Sequence, residues 1–320
     1  MNRREFLAGA IALPLTLRSV PEALAGGTPV ALVTADTQSR VVVVQLSSGR
    51  IVRSISTLPG PRSVESVSGT IGVVCHTSQG ALSLIDGPTL RVTHVLRGFA
   101  EPRYTAASPD GRHAFVTDSA GGEVVTVDVK RGRAVARAQL GGPARHVSIA
   151  PDGRILWVSL GSRAALVAIV DVSRPTSPRL LHRLRPPFLA HDVGVVPDGR
   201  HVWLTSGDRG MLVVYDRRTG EVLKRLGADA PPQHVTFFGG KAFVTSGEDG
   251  TLRMHSLRDG RLLRTTRVPV GSYNVQDASG WIVTSSLDRG TFCVLTRTGR
   301  LVRRVQVAPS SHDACFVMTA

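Results

Sequence analysis

The sequence predicts an all-β fold, a seven-bladed β-propeller, on three observations. A strand-like tetrad recurs at a near-constant interval, hairpin turns flank its copies, and a partial unit at the C-terminus matches what the N-terminal unit lacks. The tetrad is two mostly apolar residues, then Val or Leu, then Thr or Ser. It stands as Ala31-Leu32-Val33-Thr34, Ala114-Phe115-Val116-Thr117, Leu156-Trp157-Val158-Ser159, Val202-Trp203-Leu204-Thr205, Ala242-Phe243-Val244-Thr245 and Trp281-Ile282-Val283-Thr284, with Gly72-Val73-Val74-Cys75 as a degenerate copy. The last positions are spaced by 41, 42, 42, 46, 40 and 39 residues, a period that fits one four-stranded propeller blade.

Within a unit, a short β-like run leads into a tight turn, Pro-Asp-Gly-Arg at 109–112, 151–154 and 197–200. Pro presets the first central φ and Gly tolerates the reversal that follows. The tetrad strand comes next, then a Ser/Gly/Asp loop and a Val-rich strand such as Glu123 to Val127 or Met211 to Tyr215. A second turn (217–220, 258–260, 297–299) leads to an outer strand such as Glu221 to Leu226. No stretch sustains helical periodicity, which disfavours a β–α solenoid. His312 to Val317 reads as a first strand with no successor, whereas Val30 to Ile55 holds second, third and fourth strands with no first. The C-terminal strand is therefore expected to pair with the N-terminal strands and close the ring, leaving no open sheet edge. A monomer is expected.

Residues 1–25 read as a signal peptide and 26–320 as a single propeller domain. The apolar run from Ala8 to Leu17 is too short to span a bilayer, and Ala23-Leu24-Ala25 is a small-x-small cleavage signature. Arg3-Arg4 followed by Phe6-Leu7 resembles the twin-arginine export signal. The expectation is a periplasmic or secreted protein that is not an integral membrane protein. The formal charge is +15, but only Lys130, Lys224 and Lys241 are lysines among 39 basic residues. Coding bias alone can produce such an arginine excess, and an exported protein meets little nucleic acid, so no nucleic-acid partner is expected. The three cysteines, Cys75, Cys293 and Cys315, are odd in number and each sits in an apolar run, so buried free thiols are expected. Without a C-x-x-C-H motif, covalent c-type haem attachment is excluded.

Alignment of the units on the inner strand exposes two polar columns. The first reads Arg62, Arg103, Arg145, His191, Gln233, Tyr273 and His312; the second reads Ser63, Tyr104, His146, Asp192, His234, Asn274 and Asp313. Innermost strands line the channel of a propeller, so these residues are expected to ring one mouth. The candidate ligand-binding set is Arg62, Arg103, Arg145, His146, His191, Asp192, His234, His312 and Asp313. An arginine arc facing an imidazole and carboxylate arc suits a small anionic ligand or an acidic protein partner, and histidines could also ligate a metal or move protons. Asp36, His76, Asp118, Asp208, Glu248, Asp249 and Asp288 are expected to form an acidic rim on the same face. Turn arginines such as Arg112, Arg154, Arg200, Arg217, Arg258 and Arg297 are expected to make the opposite face basic.

Phe115-Val116-Thr117-Asp118, after the Ser-Pro-Asp-Gly at 108–111, resembles the YVTN repeat of bacterial propellers related to the cytochrome d1 and quinoprotein amine dehydrogenase domains. The resemblance covers essentially the whole chain after residue 25. It implies the fold and leaves the function open, because such propellers include surface proteins, lactonases and redox-cofactor binders. From it follow two alternatives to a plain binding module. One is a redox- or tetrapyrrole-linked protein, with His191, His234 or His312 as ligands and the arginines on carboxylates. The other is a metal-assisted lactonase-type hydrolase. The residues themselves name no cofactor and no catalytic group: H-E-x-x-H, G-x-S-x-G and phosphate-loop motifs are all missing. Binding rather than catalysis is the expected activity.

Overall fold

The computed structural model describes residues 27–228 and 230–320; the expected signal peptide lies outside them. Seven antiparallel sheets of four strands each are arranged in a ring. In blades 2 to 7 the chain runs from the axis outward through four consecutive strands. Their innermost strands are Pro61–Val67, Pro102–Ala107, Val147–Ile149, Val193–Val195, Val235–Phe238 and Gln276–Ala278. Blade 1 is composite: Ala314–Met318 from the C-terminus is innermost and pairs with Pro29–Ala35, in register from Val33↔Ala314 to Pro29↔Met318. The expected closure is observed. The expected first strand, however, begins at Ala314, so His312 and Asp313 precede the ladder.

The physical reason for the tetrad lies between blades. Each middle strand is covered on both faces, so it reads as a continuous apolar run instead of alternating. In blade 3, Ala114, Val116 and Val125 pack toward blade 2, whereas Phe115 and Val124 pack toward blade 4. The buried apolar residues accordingly fall into seven clusters, one at each blade–blade interface. Outer strands carry exposed side chains, and in every blade the pairing of third and outer strand is shifted once by a bulge, as between Val43 and Val44 or Val294 and Leu295. A bulge adds twist and makes an outer edge a poor template for another strand.

In blades 3, 4 and 5 the Thr or Ser that ends the tetrad is a latch. Its hydroxyl accepts the N–H of a second-column residue in its own blade and donates to the first-column carbonyl of the next blade. Thr205 Oγ1 accepts from Asp192 N at 2.9 Å and donates to Gln233 O at 2.6 Å. Thr117 does the same between Tyr104 and Arg145 O, and Ser159 between His146 and His191 O. Where the tetrad ends in Cys75, the Ser63 hydroxyl takes over and donates to Arg103 O.

The three cysteines are free and buried. Among the described residues no helix is long and apolar enough to cross a membrane, and the one helical element is a 3-10 turn, Thr77–Gln79. The face expected to be basic is mixed. Its turn aspartates, Asp110, Asp152 and Asp198, accept the backbone N–H of Arg112, Arg154 and Arg200, and Arg217 Nη2 meets Asp152 at 3.4 Å. The same Pro-Asp-Gly-Arg turn brings one acid for each arginine.

Candidate functional site

The arginines and the aromatic rings of the two columns enter the channel at different depths. The first-column arginines stand at the mouth, where the inner strands begin, whereas His191 and His312 of the same column turn inward. Arg62 Nη1 pairs with Asp36 Oδ2 at 3.1 Å, and Arg103 pairs with Glu101. Arg145 has no ion-pair partner among the described residues, and the Nε atoms of both Arg103 and Arg145 are buried without an acceptor. Burial, reinforced by the neighbouring Arg103 and Arg62 charges, holds the Arg145 guanidinium below its ordinary range. A hollow of about 470 Å³ lined by Asp36, Arg62, Thr77 and Glu101 opens beside this mouth.

Second-column Tyr104, His146 and His234, joined by first-column His191 and His312, lie deeper and close the axis. Tyr104 reaches across from blade 3, its ring 4.2 Å from His146, 5.6 Å from His234 and 6.3 Å from His312, centroid to centroid. His146 in turn lies 4.6 Å from His191 and 4.5 Å from His234. Five rings from five blades thus meet at one level. Burial pushes the Tyr104 phenol up to about 12. Burial, together with the neighbouring imidazoles, lowers His191 to about 4 and His146 well below the ordinary histidine range, so both rings are neutral near pH 7. His312 is also held well down, by burial first and then by Arg62.

On the far side of this plug a cavity of about 330 Å³ is lined by Tyr104, His146, Asp192 and His234 together with Glu65 and Asp277. Burial raises Glu65 to about 7 and Asp277 to about 6. Neither acid belonged to the expected set; the signal was a lone charge within an inner-strand run.

The expected set is therefore brought together, but not as one ring. Arg62, Arg103 and Arg145 form the mouth, and His146, His191, His234 and His312 belong to the plug. Asp192 and Asp313 are buried with their oxygens engaged. Asp192 accepts from Val193 N and Val235 N, and Asp313 from Ala314 N and Val64 N. The acidic rim is incomplete: Asp118 is buried and accepts the Ala100 and Glu101 N–H groups, and His76 is buried against Ser83 and Pro59. Asp36 is spent on Arg62.

The fold is a seven-bladed β-propeller. The family model described as outer membrane protein assembly factor BamB matches residues 72–226, just under half of the chain. No curated protein matches the sequence. Among solved structures, a chain of Kuenenia stuttgartiensis hydrazine synthase is similar with a TM-score of 0.67 at 17% identity, over 84% of this chain and 92% of that one. The dihydro-heme d1 dehydrogenase NirN, in complex with DHE, is similar with a TM-score of 0.65 at 16% identity, over 94% of this chain and 78% of that one. At such identities the likeness is one of fold.

Proposed function

We propose that the protein is an exported ligand-binding propeller that takes a small anion, bearing carboxylate or phosphate groups, at the mouth formed by Arg62, Arg103 and Arg145. One observation carries this reading: Arg145 is held close to two other guanidiniums with no acid of its own, and its Nε is buried without an acceptor. Like charges so arranged repel, and an anion with forked acceptors relieves the repulsion while satisfying the open N–H groups. The likeness to NirN, a protein in complex with DHE, favours a second form of the reading, in which the anionic groups belong to a bound cofactor. Export rests on Arg3-Arg4 and Ala23-Leu24-Ala25, and the outer-membrane-assembly description of the matching family supports it.

Calorimetric titration with phosphate and with citrate, on the wild type and on Arg145→Gln, tests the site. A hydrogen bond to a charged group is worth roughly 1.5–3 kcal/mol, so the variant should bind at least about tenfold more weakly with an unchanged melt. Equal affinity in the two proteins, or no binding of either anion, would remove the basis of the proposal.

A further inference from the structure

One ring nitrogen from each of His146, His191 and His234 lies within 4.8 Å of those of the other two. The three rings come from blades 4, 5 and 6; hydrogen bonds place the proton on Nδ1 of His191 and His146, and a carboxylate faces the same nitrogen of His234. His191 Nδ1 lies 2.9 Å from the Ser162 carbonyl oxygen, which can only accept, so Nδ1 carries the proton. His146 Nδ1 faces Ser159 Oγ at 3.5 Å. That hydroxyl already donates to His191 O, so it accepts from the ring. His234 Nδ1 faces the Asp192 carboxylate at 3.5 Å. Each Nε2 is then left with a lone pair, and that of His146 is buried without any partner. His312 is the contrast within the same plug: its Nδ1 accepts from Asn274 Nδ2 at 3.0 Å, so its proton sits on Nε2.

Imidazoles that ligate a metal through one nitrogen characteristically donate the other N–H to a carboxylate, a carbonyl or another oxygen. We propose that His146, His191 and His234 form a three-histidine site for a divalent transition-metal ion, with its fourth coordination position open to the axial cavity. Three neutral nitrogen donors and an open position suit zinc, cobalt or copper rather than calcium or magnesium, which take oxygen ligands. Metal–nitrogen bonds of about 2.0–2.1 Å place ligand nitrogens ~3.3 Å apart in a tetrahedral set, which small rotations of these rings achieve. His146 and His234 both line the cavity, so a water or ligand atom in it can reach the fourth position. Asp192 supplies the nearby negative charge and Arg145 opposes it. The site does not rest on the anion reading, because Arg145→Gln removes an anion contact and leaves all three imidazoles in place.

Chelator-treated full-length protein should be titrated with Co²⁺, followed by its visible d–d absorption, and with Zn²⁺ by calorimetry. One equivalent should bind, with intense tetrahedral-type Co²⁺ bands. His191→Ala and His234→Ala should each weaken binding at least tenfold, and Asp192→Asn should weaken it by about 10–100-fold. His201→Ala, on an exposed ring paired with Asp198, should leave it unchanged. Zinc-edge X-ray absorption on the wild type gives an answer that needs no variant: a shell with three imidazole nitrogens is expected. A sulfur or all-oxygen shell overturns the proposal, as does the absence of Co²⁺ bands or affinity that persists in both histidine variants.

Discussion

Asp192 Oδ2 lies 3.5 Å from His234 Nδ1 and accepts the Val235 N–H at 3.0 Å, so one oxygen both ties blade 5 to blade 6 and orients an imidazole on the channel axis. Asp313 makes the matching tie from blade 1 to blade 2, through Val64 N at 3.1 Å. Where Asp192 meets His234, Asp313 instead accepts from Gln276 Nε2 at 3.2 Å. Two copies of the same His-Asp dipeptide thus clamp neighbouring blades alike, and only Asp192 meets an imidazole of the next blade.

The hydroxyl latch gives the first expected outcome. Thr205→Val keeps the shape but strands the Asp192 N–H and the Gln233 carbonyl, both hydrogen-bonded to Thr205 Oγ1. Leaving such a group unpaired costs about 1–3 kcal/mol. Chemical denaturation should show a loss of that order for Thr205→Val and a much smaller one for Thr205→Ser. Equal losses would mean that packing of the methyl, not the hydroxyl, matters.

Deleting residues 312–320 should do far more than trim a tail. It removes the strand paired with Pro29–Ala35, the Asp313 tie to Val64 and the buried Val317, whose burial alone is worth about 1.5–3 kcal/mol. Aggregation or a large drop in melting temperature is expected. An unchanged melt would show that the ring holds without its composite blade.

Much of this architecture was legible because a propeller repeats its chemistry. The interval between tetrads counts the blades, and the two incomplete ends, Val30 to Ile55 and His312 to Val317, declare the closure. The polar columns were legible too, but not their depth. A column fixes the angle of a residue around the axis; only packing decides that Tyr104 lies across the channel while Arg145 stays at its mouth. Carboxylates misled for a related reason. Asp118 reads as a rim charge and Asp313 as a ligand in a sequence, and backbone N–H groups of neighbouring loops and blades take their oxygens. The basic face misled because the arginines were read without the aspartates two residues before them.

Acidity should act through Glu65. Its pKa rises from 4.5 to about 7 on folding, so between those values the native state holds more protons than the unfolded chain. Its stabilising contribution is full below the lower value and is lost as pH rises through the upper one. Glu65→Gln keeps the neutral form at all pH. From about pH 5 to about pH 8 the wild type should lose stability relative to the variant. His191, lowered to about 4, contributes the opposite limb in both proteins and cancels from the difference. Parallel stability curves would contradict the assignment.

Export should depend on the arginine pair. Arg3→Lys with Arg4→Lys is expected to leave unprocessed precursor in the cytoplasm, detected by fractionation and mass. Normal processing in the double variant would show that another route is used.

The most direct measurement of the ligand-binding claim is a crystal of the protein soaked in tungstate, an anion of phosphate shape that anomalous scattering locates without bias. Density is expected at the channel mouth, within hydrogen-bonding reach of Arg145 and flanked by Arg62 and Arg103. Tungstate found only at turn arginines such as Arg217 on the opposite face, with the mouth left empty, would contradict it.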